Sequence, residues 1–224
     1  MRLASGLVFA VTLFCAGAVS AEMVLNRSGG SDPSSLDPQR ATGNTAVPIL
    51  NELFVGLVTT DENGKLTYGL AASHTVSDDG LIWEYTLRDE LKWSDGVPLT
   101  AEDFVWSLRR LMLPETASRY AQFFYSVKNG RPVNGGDMPP ERFGVSAPDS
   151  KTIRFELINQ DPLFAQSLNS FAAMPSPRHK IDELGTDWTK PGQFVTNGAY
   201  TLEEWVPGTR LTLKKNPNFY DAAN

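Results

Sequence analysis

Two imidazoles are available for proton transfer, His74 and His179, and neither lies near a nucleophile motif in the sequence. No Gly-x-Ser-x-Gly elbow occurs, and no His-Glu-x-x-His or similar spacing gathers metal ligands. Asp78-Asp79 and Glu203-Glu204 are adjacent carboxylates. Neighbours in a strand point to opposite faces, so each is a poor acid/base pair. Gly29-Gly30 and Gly135-Gly136 sit among polar residues, as loops do, and form no phosphate-cradling loop. An exported hydrolase is the competing functional class, and it lacks its constellation of side chains here. The residues disfavour an enzyme, with no catalytic residue and no cofactor expected, and of themselves do not say what the protein does.

The elements that would position a binding face are short strands, turns and a few helices. Val55-Gly56-Leu57-Val58 and Leu66-Thr67-Tyr68 flank the turn Asp61-Glu62-Asn63-Gly64, where Gly64 can take a positive φ cheaply. Ser77-Asp78-Asp79-Gly80 leads into a strand that carries Leu81, Trp83, Tyr85 and Leu87 on one face. Phe143-Gly144-Val145 pairs with Ile153 to Leu157 across Pro148-Asp149-Ser150, and Tyr200 to Trp205 with Arg210 to Lys214 across Pro207-Gly208. Thr100 caps a helix, with Asp103 completing an approximate capping box. Phe104, Val105, Leu108, Leu111 and Met112 line one stripe of it, and Pro114 stops it. Thr45 to Leu53 is a second helix with Ile49, Leu50 and Leu53 inward, and Asp161-Pro162 opens a third. The fold class is α/β or α+β with mixed or antiparallel sheet.

Compartment follows from the first residues. Arg2, the apolar run Leu7 to Phe14 and the small residues of Val19-Ser20-Ala21 have the layout of a secretory signal peptide cut after Ala21. The cut removes 21 of 224 residues and leaves 203. Cys15, the one cysteine, leaves with the signal, and Phe14 before it does not suit a lipidation site. Burial without disulfides must then stabilise the mature chain, which is long enough for a sizeable core. Loss of Arg2 takes the formal charge from −6 to −7. That acidic balance argues against nucleic acid, which recruits clustered lysine and arginine. No later segment is long and apolar enough to cross a membrane.

Three stretches carry a resemblance. Ser35-Leu36-Asp37-Pro38 precedes Leu53-Phe54-Val55-Gly56-Leu57. Leu87 to Phe104 contains Trp93-Ser94-Asp95-Gly96-Val97-Pro98-Leu99-Thr100-Ala101-Glu102-Asp103-Phe104. Thr196-Asn197-Gly198-Ala199-Tyr200 precedes Asn216-Pro217-Asn218-Phe219-Tyr220. In this order and spacing the chain resembles the extracellular solute-binding protein family 5, the oligopeptide- and dipeptide-binding proteins of ABC importers. The motifs themselves read mostly as scaffold: strand end, turn, cap and helix.

The resemblance implies a periplasmic-binding-protein type II-like fold of two lobes that close on ligand, with an extra subdomain in the N-terminal half. On this chain residues 22–54 and 178–224 fall to the first lobe and 55–177 to the subdomain. Family members run to twice this length or more, so the second lobe is expected beyond these residues and the fold here is incomplete. The resemblance further implies a periplasmic monomer that captures a short peptide and delivers it to ABC permease membrane subunits. Rival cargoes within the family are an oligosaccharide, an opine, nickel or haem. The ligand-binding residues it implies are Thr42, Gly43 and Asn44, as an edge for an extended peptide, and Tyr120, as an aromatic cover. Close peptide-binding relatives have an acidic residue where this chain has Thr42, so a charge contact from that position is absent.

Overall fold

The computed structural model describes residues 31–222. The expected cleavage after Ala21 therefore lies outside the described residues. Helix α1 (Val47–Leu53) opens the described fold, with Leu50 and Leu53 buried and Pro48 in its first turn, where a missing N–H costs nothing. It starts two residues later than Thr45. Strands β1 (Val58–Thr60) and β2 (Leu66–Tyr68) form the first expected hairpin, closed by Gly64 at φ 77°.

The largest sheet is antiparallel, in the order β3-β4-β6-β5, and combines β3 (Ala71–Val76), β4 (Ile82–Leu87), β5 (Val145–Ser146) and β6 (Thr152–Glu156). Register places Tyr85 opposite Ile153 and Trp83 opposite Phe155. Period-2 alternation sends Tyr85 and Leu87 inward and Thr86 outward, and likewise Ile153 and Phe155 inward. Trp83 is only half-buried and Leu81 lies before the strand. On edge strand β3 only Ala71 is buried; Ser73, His74 and Thr75 face outward, a polar edge that discourages pairing with other chains.

Helix α2 (Ala101–Met112) packs across β5 and β6. Its stripe of Phe104, Val105, Leu108, Leu111 and Met112 is at most 1% exposed, and each such side chain contributes roughly 1.5–3 kcal/mol of burial. Thr100 and Asp103 close the capping box. The Asp103 carboxylate accepts from Thr100 N–H at 2.8 Å and from Thr100 Oγ1 at 3.2 Å. Burial pushes the Asp103 carboxyl above its ordinary pKa, and these two donors offset part of the shift. Two short helices follow, α3 (Gly130–Asn134) and α4 (Phe164–Ser167). The latter begins later than Asp161-Pro162 predicts, because Asp161 turns its carboxylate onto Leu163 N–H at 3.0 Å and forms a local turn instead.

Helix α5 (Arg178–Leu184) and the hairpin β7 (Tyr200–Val206) and β8 (Arg210–Lys215) complete the elements. Signature residues stitch this end to the start. Asn197 accepts from Val55 N–H at 3.1 Å and donates to Val55 carbonyl at 2.9 Å, so one side chain mimics a strand pairing. Gly198 N–H donates to Leu53 carbonyl at 2.9 Å. A Cβ on Gly198 would stand 2.6–2.7 Å from three backbone atoms of Glu52, Leu53 and Phe54, so the close approach requires glycine. Asn216 donates to Gly198 carbonyl, and Asn218 to Ser94 carbonyl.

Candidate functional site

A buried polar junction underlies the candidate binding face. Asp37 and Gln39, 4% and 0% exposed, lie just before α1. A carboxylate this buried requires partners, because desolvating it alone costs several kcal/mol. Arg110, in the last turn of α2, supplies two parallel bonds, Nη1 to Oδ1 at 2.9 Å and Nη2 to Oδ2 at 2.5 Å. This is the fork geometry that makes arginine–carboxylate pairs strong. Arg110 Nη1 also donates to Gln39 Oε1 at 2.7 Å, and Ser176 Oγ donates to the same oxygen at 2.6 Å. The amide end of Gln39 donates to Met174 carbonyl at 2.8 Å, and Ser176 N–H donates to Ser107 Oγ at 2.8 Å. Three distant stretches, 37–39, α2 and 174–176, are thereby locked together.

The expected ligand residues sit on the rim of this junction. Thr42 is pinned by Ser34: its N–H donates to Ser34 Oγ at 2.9 Å, and its carbonyl accepts from that hydroxyl at 3.0 Å. Gly43 follows at φ 81° with open space where a Cβ would stand. Gly43 and Asn44 are exposed, and among the described residues their amides meet no acceptor. Tyr120 lies in the loop after a 3₁₀ turn at Pro114–Thr116, which ends in left-handed Ala117 at φ 53°. Its ring is half-buried, edge-on to Phe171 at 4.8 Å and tilted against Phe123 at 5.7 Å. Phe123 is 44% exposed.

Phe171 also lines a cleft of about 470 Å³ with Met174, Asn169 and Ser170, Val47 and Asn51 of α1, and Thr59 and Thr60 of β1. Thr42, Gly43 and Asn44 make no hydrogen bond to Tyr120 among the described residues. Common neighbours tie the two segments together: Gln39 bonds the 174 carbonyl, Phe171 touches Tyr120, and Arg40 Nη2 donates to Glu115 carbonyl at 3.2 Å. The residues that sequence reasoning missed are Arg110, Gln39, Ser176, Arg40 and Phe171. Spacing gives no signal for them, since the stretches the junction joins are 69 to 137 residues apart.

The candidate acid and base residues have structural partners. His74 Nδ1 bonds Tyr68 Oη at 2.8 Å, with its ring against Trp83 and Tyr85. His179 Nε2 bonds Asp95 Oδ2 at 2.8 Å and so tethers α5 to the Trp93–Val97 turn. Asp79 accepts from Ser77 Oγ and Leu81 N–H, and these donors hold its carboxyl below the ordinary range. Glu204 pairs with Arg210 through two bonds at 2.8 and 3.0 Å. Among the described residues no group of three His, Cys, Asp or Glu could hold a metal ion. No described helix is long and apolar enough to cross a membrane.

The family of bacterial extracellular solute-binding proteins, family 5 (middle), matches residues 65–224. The chain is 38% identical over 194 residues to the periplasmic murein peptide-binding protein MppA of Escherichia coli, covering 86% of this chain and 36% of that protein. It is 37% identical to the probable deoxycholate-binding periplasmic protein YgiS of E. coli, covering 90% of this chain and 38% of that one. Among solved structures, Haemophilus influenzae OppA in complex with the peptide RPPGFSPFR superposes with a TM-score of 0.84 at 33% identity, over 87% of this chain and 38% of that chain. The chain thus spans little more than a third of the length of the relatives it matches. Its mixed α and β elements follow the fold of these binding proteins, and the chain belongs to the family 5 bacterial extracellular solute-binding proteins.

Proposed function

We propose that this protein captures short peptides in the periplasm and hands them to the membrane subunits of an ABC importer, without acting on them chemically. The observation that carries this reading is an exposed stretch of main chain, Gly43-Asn44, whose amides are unbonded and which lies between Thr42, pinned by Ser34, and α1. An extended peptide can pair its backbone with such an edge. Tyr120, backed by Phe171, then covers the peptide as an aromatic wall. Thr42, Gly43, Asn44 and Tyr120 are the contact residues of this proposal. The relatives named for peptide binding support the choice of cargo.

We assign residues 22–54 and 178–224 to one lobe and 55–177 to a subdomain. The crossings between them coincide with the Asp37–Arg110 junction and the Val55–Asn197 pairing. The opposite wall of the cleft would come from the second lobe that the family resemblance implies. Binding would draw the walls together by favouring the closed form, and the closed monomer would dock on the permease. Export would follow cleavage after Ala21, which N-terminal sequencing of the exported protein checks: the expected first residue is Glu22.

A second reading, capture of an amphipathic steroid acid, is favoured by the relative named as a probable deoxycholate-binding protein. Calorimetric titration of the intact protein with a library of di- to pentapeptides, and separately with deoxycholate, distinguishes the two. The proposal expects micromolar or tighter peptide binding, with every peptide recovered intact by mass spectrometry. Binding of deoxycholate alone would replace it with the second reading, and peptide cleavage would replace it with a hydrolase.

A further inference from the structure

The charge arrangement beneath the candidate face points beyond peptide capture in general. Asp37 is a single carboxylate between two guanidiniums. Arg110, with its side chain 11% exposed, takes both oxygens of Asp37 in bidentate fashion, and Gln39 N–H adds a third donor at 3.0 Å. Arg40 approaches the same carboxylate only to 3.9 Å, without a hydrogen bond, and its side chain is 43% exposed. One negative charge cannot neutralise two positive ones, so the cluster carries a surplus positive charge, and Arg40 holds it on the exposed side.

The place of that surplus matters. Arg40 lies two residues before Thr42, and its Nη2 donates to the carbonyl of Glu115, where the loop to Tyr120 begins. It therefore stands between the two segments of the candidate face. Arg119, next to Tyr120, is exposed and has no ion-pair partner among the described residues. Glu115 is the one carboxylate on that loop, and it too is exposed. Counting these groups, the rim has two free arginines against one glutamate, above a neutral Asp37–Arg110 pair. A cleft wall with a fixed surplus of one sign favours ligands of the other, more so as closure excludes water.

We propose that Arg40 makes this binding face selective for peptides with an acidic side chain, glutamate or aspartate, placed beside it. This rests on the peptide-capture reading above. Arg40 is a specificity residue; its bond to the Glu115 carbonyl aims the guanidinium, and its remaining donors are left for a ligand carboxylate.

The test uses the intact protein and a peptide series in which one glutamine is replaced by glutamate at each position in turn. At low ionic strength the wild type should bind the best-placed glutamate peptide at least about fivefold more tightly than its glutamine counterpart. The preference should shrink as salt rises. In Arg40→Gln it should fall to within about twofold, because the glutamate peptide loses more affinity than the all-glutamine peptide; Arg40→Lys should retain most of it. A wild type that prefers no glutamate position overturns the inference but leaves peptide capture standing. So does a preference that survives Arg40→Gln, or an equal loss of both peptides in that variant, which would make Arg40 a structural support. Failure of every peptide to bind would contradict peptide capture itself, and this inference with it.

Discussion

Two regions of this molecule handle their polar groups in opposite ways. In the signature segments, Trp93 to Phe104, Thr196 to Tyr200 and Asn216 to Asn218, many polar groups are bonded within the chain, although the buried Trp93 Nε1 has no hydrogen-bond partner among the described residues. Asn197 serves both main-chain groups of Val55, Asn216 and Asn218 reach back to Gly198 and Ser94, and Asp103 serves Thr100. In the candidate face, Gly43 and Asn44 keep bare amides, Phe123 keeps an exposed ring, and Arg40 keeps most of its donors. The contrast teaches that residues by which a family is recognised need not touch its ligand. They recur because the fold closes through them, and the groups left without internal partners are the ones free to meet a solute.

The contrast can be broken first at its most rigid point. Gly198→Ala pushes a methyl group against backbone atoms of Glu52, Leu53 and Phe54. No side chain can swing aside, so the expected loss is more than about 3 kcal/mol, or failure to fold. Urea denaturation checks it; a loss below about 1 kcal/mol would show that this approach is softer than its geometry implies. Next comes Arg110→Ala, which strands the Asp37 carboxylate, 4% exposed, without its partner. The expected cost is about 3–5 kcal/mol, read as a fall in the denaturation midpoint. Arg110→Ala with Asp37→Ala should recover part of that loss, because no buried charge then remains unpaired.

How far the sequence foretold each region follows the same division. The hairpins at Asp61–Gly64, Ser77–Gly80 and Pro207-Gly208 were legible because turn chemistry is local. The α2 stripe was legible because period and cap agree, from Thr100 to Met112. Asp161-Pro162 marked a helix start slightly early: Asp161 bonds Leu163 N–H in a turn, and α4 begins at Phe164. The candidate face was legible only by resemblance. Nothing in the spacing of Asp37, Gln39, Ser107, Arg110 and Ser176 announces that they meet, since the fold alone brings them together. Arg40 differs in character from Arg110 only because one is exposed and the other buried, a distinction the sequence does not carry.

A milder perturbation sharpens the comparison within the scaffold. Thr100→Ala removes the hydroxyl of the capping box and leaves the Asp103 bond to residue 100 N–H in place. It should cost about 1 kcal/mol of stability, seen as a small drop in Tm, with peptide affinity nearly unchanged. A fall in affinity at constant Tm would give this signature segment the binding role that its internal bonding argues against.

Tyr120 tests most directly the claim that the loosely bonded region is the one that binds. Its ring is half-buried and packs on the edge of the core through Phe171, with the exposed Phe123 beside it. The decisive measurement is calorimetric titration of a tight-binding peptide into wild type and Tyr120→Ala of the intact protein, with apo melting curves recorded for both. The account predicts a loss of roughly 1–3 kcal/mol in binding and an apo Tm that scarcely moves. Unchanged affinity together with a marked fall in Tm would contradict it, for it would return Tyr120 to the scaffold and leave the ligand elsewhere.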